Sequence, residues 1–142
     1  MGDTEFTIRR IEDIDDVTGE FINREFTEYA IANRVELNFD EFCFAAQDPE
    51  GKITGVITGR AYYDEVHIGD LIVDSNCRRT GLGRSLVGKV EDTYRGKGYK
   101  IITLTTFGFQ APEFYKKLGY ELEFIRENVD PKLCKYFFSK EL

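Results

Sequence analysis

The sequence is poor in residues that hold metal ions and in features that direct a chain to a membrane. It has one histidine, His67, and three cysteines that lie too far apart for a C-x-x-C pair or a zinc site. No stretch approaches the roughly 18 apolar residues of a membrane span, and residues 1–10 lack the apolar run of a signal peptide. We therefore expect a cytoplasmic protein with reduced thiols, no metal and no membrane partner.

Positive charge is scarce in the first part of the chain. Residues 1–50 carry 14 acidic and 4 basic side chains, whereas the remainder carries 12 acidic and 15 basic ones, and the net charge is -7. Because phosphate neutralisation needs clustered Lys and Arg, this balance argues against a nucleic-acid partner. An acidic half beside a basic half would suit a cationic and an anionic ligand, although acidic helix faces that only keep a protein soluble give the same pattern.

Hydrophobic periodicity predicts alternating strands and helices in a chain of single-domain size. The first half predicts a strand at 5–10, an acidic helix at 13–30, a second helix or loop at 33–40, and strands at 42–47, 53–61 and 66–73. The second half predicts a helix at 82–94, a buried strand at 99–105, a helix at 111–118, and strands at 120–126 and 133–139. The strand–helix–strand order in the second half indicates a crossover between parallel strands.

A glycine-containing loop at residues 74–85 joins a predicted strand to a predicted helix. Gly81 and Gly83 allow close approach of a ligand and leave N–H groups free at a helix start, where the dipole favours an anion. Arginines 78, 79 and 84 add positive charge. A purely geometric role for the glycines is the alternative to phosphate binding.

Two common nucleotide motifs fail at this loop. A dinucleotide G-x-G-x-x-G pattern would need glycine at position 86, which is Leu86. A P-loop read from Gly83 fails because Val90 replaces the hydroxyl that would hold magnesium, and because Gly88 falls inside the predicted helix.

The spacing Arg78-x-x-Gly81-x-Gly83 resembles the turn that binds the pyrophosphate of acetyl-CoA in the GNAT family of N-acetyltransferases. The resemblance implies that the phosphates are bound by one continuous segment, which comprises Arg78, Arg79, Thr80, Gly81, Leu82, Gly83, Arg84 and Ser85. It also implies that the preceding strand runs beside the pantetheine arm through main-chain hydrogen bonds of Leu71, Ile72 and Val73. Ordinary core packing of these three side chains is compatible with that role.

Residues 111–120, APEFYKKLGY, resemble the closing helix of the same family. The match implies that Tyr115 contacts the cofactor and protonates the departing coenzyme A thiolate, a transfer that a phenol with a pKa near 10 can make when the local field assists. Packing of Tyr115 in an aromatic core is the alternative. The family often has an asparagine shortly before the alanine of this helix. In this chain the residues before that alanine, 106–110, are TFGFQ and include no asparagine, and Gln110 is the candidate cofactor-binding residue there.

The resemblance covers residues 6–142 and implies one N-acetyltransferase domain over residues 1–142. The implied fold is α/β (α+β), of the acyl-CoA N-acyltransferase type, with a mixed, mostly antiparallel sheet of about six to seven strands flanked by helices. Its implied order is one strand, two helices, three strands, a helix, a strand, a helix and two strands. An exposed sheet edge would support a homodimer.

Acetyl transfer to an amine needs a neutral nitrogen, and an alkylamine with a pKa near 10.4 is protonated at neutral pH. His67 and Asp70, on the strand before the loop, are candidate proton acceptors. A structural His67, an Asp70 that orients the strand or holds an ammonium, and solvent as the base are the alternatives. The expected reaction is direct attack by a primary amine of a small molecule or peptide, with a backbone N–H near Ile72 or Val73 stabilising the oxyanion. A non-catalytic CoA sensor and an unrelated phosphate binder are the competing functions.

Overall fold

A mixed six-stranded sheet forms the centre of the larger part of the protein. The computed structural model describes residues 5–142, and its contacts divide the chain into a unit that ends at Leu37 and a unit from Asn38 to Leu142. The strands, all in the second unit, are β1 (Asp40–Gln47), β2 (Ile53–Tyr62), β3 (Glu65–Val73), β4 (Ile101–Phe107), β5 (Glu121–Arg126) and β6 (Lys135–Glu141). The helices are α1 (Asp16–Ala32) in the first unit, and α2 (Leu82–Tyr94) and α3 (Pro112–Lys117) in the second.

The sheet has the order β1-β2-β3-β4-β6-β5. β3 and β4 are parallel and are joined by α2, whereas every other neighbouring pair is antiparallel. This arrangement confirms the predicted mixed sheet, the predicted crossover and the terminal antiparallel pair. Among residues 5–142, no helix is both long enough and apolar enough to span a bilayer.

The core of the second unit lies between the sheet and one apolar face of α2. Leu86, Val87 and Val90 recur at helical spacing and are buried against Val66 and Ile102 of the central strands. The glycines of the sheet permit this close approach, because a Cβ at Gly55 would lie 3.1 Å from the Leu86 side chain. The position of α2 over the sheet fixes where the helix begins, beside the end of β3.

The first unit contains α1, whose ends have clear local causes. The Asp15 carboxylate accepts a hydrogen bond of 2.7 Å from the Thr18 N–H. Hydrogen bonding from the Thr18 side chain, and then from its backbone, lowers the pKa of Asp15. At the other end, Arg34 adopts a left-handed conformation with φ of 59°, and the Val35 N–H donates to the Ala30 carbonyl over 2.8 Å. These bonds form a Schellman motif, which ends the helix.

The first strand and the second helix of the predicted order are absent, and of the alternatives for residues 33–40 the loop is the one that forms, up to residue 39. No strand forms at residues 5–10, because a strand requires a ladder with a neighbour and the sheet pairs none of these residues. No second helix forms at residues 33–40, because the left-handed Arg34 reverses the chain and residues 35–39 continue without regular structure. The predicted helix at 13–30 exists with shifted bounds, and the fold class is unchanged.

Candidate active site

The parallel strands β3 and β4 separate after three residue pairs. Glu65, Val66 and His67 pair with residues 101–103. The pairing of the two strands ends at His67 and Thr103. β3 nevertheless continues to Val73 and β4 to Phe107. A wedge-shaped gap therefore opens between the two strands, with His67 and Thr103 at its vertex.

A β-bulge at Gly69 changes the direction of β3 at this point. Thr58 of β2 pairs with Asp70, whereas the next residue, Gly59, pairs with Ile68, so Gly69 is the extra residue. The bulge also changes which residues of β3 are buried. Before it the even-numbered Val66 and Ile68 are buried, whereas after it the half-buried residues are odd-numbered. Because a bulge bends its strand, it accounts for the separation of β3 from β4.

The backbone of Leu71 and Val73 faces the gap. Along β3, the Asp70 N–H donates to the Thr58 side chain over 3.2 Å, and the Asp74 N–H donates to the Thr54 carbonyl over 2.8 Å. Since backbone groups of successive residues point to opposite edges of a strand, residues 70, 72 and 74 face β2. Leu71 and Val73 thus each present an N–H and a carbonyl to the gap. Ile72 instead turns its backbone to β2, and the residue is 61% exposed.

The glycine loop leads from β3 to α2 with its amides free. No backbone N–H from Arg79 to Arg84 donates to an acceptor within residues 5–142, and Gly81 caps α2 with no side-chain hydrogen bond. Gly81 has φ of 86°, and Arg79 also adopts a left-handed conformation, with φ of 63°. The successive turns aim these donors at the space beyond the start of the helix, which is the arrangement of an anion site.

Three exposed arginines surround these amides. Arg78, Arg79 and Arg84 form no salt bridge with any acidic side chain that the structure describes. The nearby Asp74 instead caps the short 3-10 turn at Ser75–Cys77 and lies 3.9 Å from the Lys52 ammonium. The charge of the arginines is therefore available to a phosphate group.

α3 lies beside the start of α2. A Cβ at Gly83 would be 3.3 Å from the Phe114 ring, so the glycine allows the two helices to approach. Tyr115 follows Phe114, is buried among Phe114, Tyr120 and Phe138, and has a pKa raised to about 12 by burial. Its hydroxyl has no hydrogen-bond partner within residues 5–142, yet it is not sealed from solvent. The Tyr115 phenol is therefore protonated at neutral pH and can donate its proton to a group that reaches the hydroxyl.

Gln110 closes the loop between β4 and α3. Its side-chain oxygen accepts from the Phe107 N–H over 2.9 Å, and the Ala111 N–H donates to the Thr106 hydroxyl over 3.2 Å. A Cβ at Gly108 would lie 2.3 Å from the Pro131 carbonyl oxygen, which explains the glycine there. The side-chain oxygen of Gln110 thus holds the loop together, while its amide N–H groups have no acceptor within residues 5–142 and can donate to a ligand.

His67 and Asp70 lie on β3 but have different partners. His67 Nδ1 is 2.9 Å from the Thr103 hydroxyl oxygen, which in turn donates to Glu65 over 2.5 Å. The Asp70 carboxylate accepts from the Thr58 hydroxyl over 3.2 Å. Burial lowers the pKa of His67 from 6.5, against the opposing charge of Glu65. His67 is therefore placed at the vertex of the gap as a neutral imidazole, and Asp70 is tied to β2.

The fold agrees with the comparisons to known proteins. The model of the GNAT family of acetyltransferases matches residues 8–120. This chain belongs to the GNAT family. It is an acetyl-CoA-dependent N-acetyltransferase by that membership.

Individual GNAT relatives show how far the similarity extends. The chain is 31% identical over 93 residues to the blasticidin-S acetyltransferase of Streptomyces morookaense. The aligned region covers 65% of this chain and 68% of the relative. An acetyltransferase structure from Bacillus cereus has a TM-score of 0.76 and 34% identity over 94% of this chain and 98% of that one. An aminoglycoside 6'-N-acetyltransferase solved with coenzyme A has a TM-score of 0.63 and 18% identity over 89% and 81% of the two chains, and shares the fold.

In this GNAT chain, sequence reasoning missed the partner of its only histidine. Thr103 lies on β4, 36 residues from His67, and reaches it through the parallel pairing of the two strands. A threonine within a strand rich in β-branched residues carries no signal of its own. Its proximity to His67 depends on the strand register.

Proposed function

We propose that the protein transfers the acetyl group of acetyl-CoA directly to a primary amine of a small molecule or peptide. The observation that carries this proposal is the gap between β3 and β4, which opens next to a loop whose amides and arginines have no protein partner within residues 5–142. Neither the gap nor the loop alone is specific for acetyl-CoA. Together they offer an anion site and, beside it, an unpaired strand edge for an amide-containing arm.

The amides from Arg79 to Arg84 and the arginine side chains would hold the phosphates, with Thr80, Leu82 and Ser85 in the same segment. Leu71 and Val73 would bind the pantetheine amides through their backbone, as an added strand does, and Ile72 would contribute its exposed side chain. An N–H of β3 facing the gap would stabilise the negative charge that develops on the carbonyl oxygen. This favours Val73 over Ile72 for that donor, because the Ile72 backbone faces β2. Gln110 would contribute through its amide donors.

Bound acetyl-CoA supplies an activated thioester, and the chain's own groups move the protons. His67 would accept a proton from the attacking nitrogen, since its pKa lies below 6.5 and it is neutral at physiological pH. Tyr115 would donate its proton to the departing sulfur. Asp70 stays a candidate for holding the acceptor ammonium, although its hydrogen bonds to Thr58 support an orienting role at the bulge. No covalent enzyme intermediate is needed.

The acceptor class is proposed from the charge of the protein and from its relatives. A net charge of -7 favours the approach of a cationic amine. The relative with 31% identity is named for blasticidin S, and a structural neighbour is named for an aminoglycoside. These compounds, together with a lysine-containing peptide, should be the first acceptors tested for acetylation.

We place this activity in one domain, residues 1–142, acting in the cytoplasm. Free thiols at Cys43, Cys77 and Cys134 support a reducing compartment. β1 and β5 are the edges of the sheet, and either could pair with a second copy to form a homodimer.

The test is a thiol-release assay with acetyl-CoA and the acceptor panel, with product mass determined by mass spectrometry. Release that depends on an amine, together with an acetylated product, is expected. Binding of acetyl-CoA without turnover of any amine in the panel would favour a non-catalytic sensor. Failure to bind acetyl-CoA would contradict the proposed function, and binding of ATP in its place would favour the phosphate-binder alternative.

A further inference from the structure

A chain of hydrogen bonds joins Glu65, Thr103 and His67 on the sheet face opposite α2. Val66 and Ile68 point into the core beneath α2, so Glu65 and His67, which alternate with them along β3, point to the other face. Thr103 lies directly opposite His67 in the parallel pairing. The distances are 2.5 Å from the Thr103 hydroxyl to Glu65 Oε2 and 2.9 Å from that hydroxyl oxygen to His67 Nδ1.

The hydrogen-bond donors among Glu65, Thr103 and His67 can be assigned one by one. The Thr103 hydroxyl has one hydrogen, and a carboxylate can only accept, so that hydrogen belongs to the bond with Glu65. The Tyr62 hydroxyl lies 3.3 Å from the same carboxylate oxygen and donates to it as well. Thr103 can therefore only accept from His67, and the hydrogen of the neutral imidazole must lie on Nδ1.

The other ring nitrogen of His67 is left as a free acceptor. His67 Nε2 hydrogen-bonds to no group in the described part of the chain, and it is not among the sealed, unpartnered atoms. His67 is also the last residue of β3 that pairs with β4, at the vertex of the gap. A lone pair at this position can meet a proton on a group that enters the gap.

We infer that Thr103 and Glu65 are positioning residues that fix the tautomer and orientation of His67, so that Nε2 is the proton acceptor of the acetyl transfer. This inference rests on the proposed function, since it assumes that His67 is the base. It assigns roles to two residues that do not themselves touch the reacting atoms.

The proton balance of the step is closed. The substrate ammonium first releases one proton to water. The neutral amine nitrogen then forms its bond to the acetyl carbon and gives a second proton to His67 Nε2, the carbon–sulfur bond breaks, and the sulfur takes the proton of Tyr115. The proton on His67 then returns through water to Tyr115, so both side chains recover their starting states. The Nδ1–H bond to Thr103 persists in the imidazolium, and the ring need not turn when it is charged.

The charged groups around His67 have opposite effects on its proton affinity. Glu65, on the same strand, raises the pKa of His67, whereas burial, Arg60 of β2 and Lys135 of β6 lower it. Tyr62 keeps its hydrogen for Glu65, because burial and that carboxylate raise its pKa. Removing the charge of Glu65 should therefore lower the pKa of His67 further.

The test uses the fact that the chain has a single histidine. In protein labelled with [15N]histidine, long-range proton–nitrogen spectra report the two ring nitrogens without ambiguity. We expect Nδ1 to carry the hydrogen near neutral pH, and Thr103→Val to abolish this preference while Thr103→Ser keeps it. Thr105→Val is the matched control, since it makes the same change two residues along the same face of β4.

Kinetics separate the inference from the proposed function. We expect His67→Gln to lower kcat by ~10²–10⁴-fold, the range for a general base. Thr103→Val should lower kcat by roughly tenfold, with little change in KM for acetyl-CoA, and Thr103→Ser should restore the rate. Glu65→Gln should move the acidic limb of the pH–rate profile to lower pH, which a purely structural role would not do.

Two results would overturn these assignments separately. If His67→Gln keeps full activity while the protein still acetylates amines, His67 is not the base. If His67→Gln is inactive but the native imidazole carries its hydrogen on Nε2, or if Thr103→Val changes neither tautomer nor rate, the positioning role is wrong. The native spectrum decides the tautomer even where a variant fails to fold.

Discussion

Tyr115 and Tyr120 are five residues apart and both are buried, but their hydroxyls are in different situations. The Tyr120 hydroxyl is sealed from solvent and has no hydrogen-bond partner within residues 5–142. The Tyr115 hydroxyl also has no hydrogen-bond partner within residues 5–142, but unlike the Tyr120 hydroxyl it is not sealed from solvent. A buried, unpaired hydroxyl is a cost to stability, whereas one that opens on a site is available for chemistry.

Tyr115→Phe should lower kcat by ~10²-fold or more, because it removes the proposed general acid and leaves the ring packing in place. The KM for acetyl-CoA should change little, since the phosphate and backbone contacts remain. Thiol release under saturating acetyl-CoA is the measurement. Since the pKa of Tyr115 is about 12, its deprotonation should cause no loss of rate in mildly alkaline solution, until the pH approaches that value.

Tyr120→Phe is the matched control for this variant. It removes the sealed hydroxyl, so we expect kcat to be unchanged and the free energy of unfolding to rise by up to about 1 kcal/mol. A loss of rate in Tyr120→Phe equal to that in Tyr115→Phe would show that the aromatic packing, and not the acid, sustains activity.

The pKa of His67 also has a consequence for stability. Because burial lowers this pKa from 6.5, the unfolded chain binds more protons than the native one between the folded-state pKa and 6.5. The contribution of His67 to stability is therefore complete above pH 6.5 and declines as the pH falls through that window. Urea unfolding on both sides of pH 6.5 should show this decline in the native chain and a smaller one in His67→Gln. Equal slopes in the two proteins would contradict it.

At the scale of elements, the start of α2 depends on a glycine in a left-handed conformation. Gly81 has φ of 86°, and its substitution would cost roughly 1–2 kcal/mol in backbone strain, although a Cβ there would meet no protein atom within 4 Å. The strain would move the amides of the loop. A change at this residue should therefore affect ligand binding more than core packing.

Gly81→Ala should weaken acetyl-CoA binding by roughly three- to tenfold, as about 1 kcal/mol of lost preorganisation implies. Isothermal titration with acetyl-CoA measures it. Gly88→Ala serves as the control in the same helix, because a Cβ at Gly88 meets nothing within 4 Å and its φ is helical. Alanine there should stabilise the helix by about 0.5–1 kcal/mol and leave the affinity unchanged. Equal affinity losses in both variants would argue against a specific role for Gly81.

At the scale of the whole molecule, a ligand that binds only the native state raises the unfolding temperature. Acetyl-CoA at a hundred times its dissociation constant should add about 2.7 kcal/mol, or roughly 5–10 °C for a chain of this length. ATP and NAD, tested in parallel, should give much smaller shifts, because they lack the pantetheine arm that would lie along β3. Equal shifts with all three ligands would indicate a general phosphate site.

The chain shows which features of a fold can be predicted from local sequence. The helix from Leu82 to Tyr94 was predicted with its observed bounds, because its apolar spacing and the following glycines are local signals. The strand at residues 5–10 was predicted from local alternation too, but it has no neighbour in the sheet. Strand formation depends on a partner elsewhere in the chain, so alternation alone does not establish it.

The same distinction applies to the candidate site. The loop from Arg78 to Ser85 was recognisable because turn glycines, arginines and a helix start are adjacent in sequence. The contact of His67 with Thr103 could not be predicted from the sequence, and neither could the direction in which the Ile72 backbone faces. Both depend on the bulge at Gly69 and on a parallel register of three residue pairs.

The sequence by itself thus indicated the family, the loop proposed to bind phosphate, and the tyrosine and histidine proposed to move protons. These features depend on residue types and spacings within one segment. The tertiary structure decided which backbone groups of β3 face the gap, which of two buried tyrosine hydroxyls is sealed from solvent, and which nitrogen of His67 contacts Thr103. Such features depend on contacts between segments tens of residues apart, whose register is set by the packing of the whole sheet and not by any local pattern.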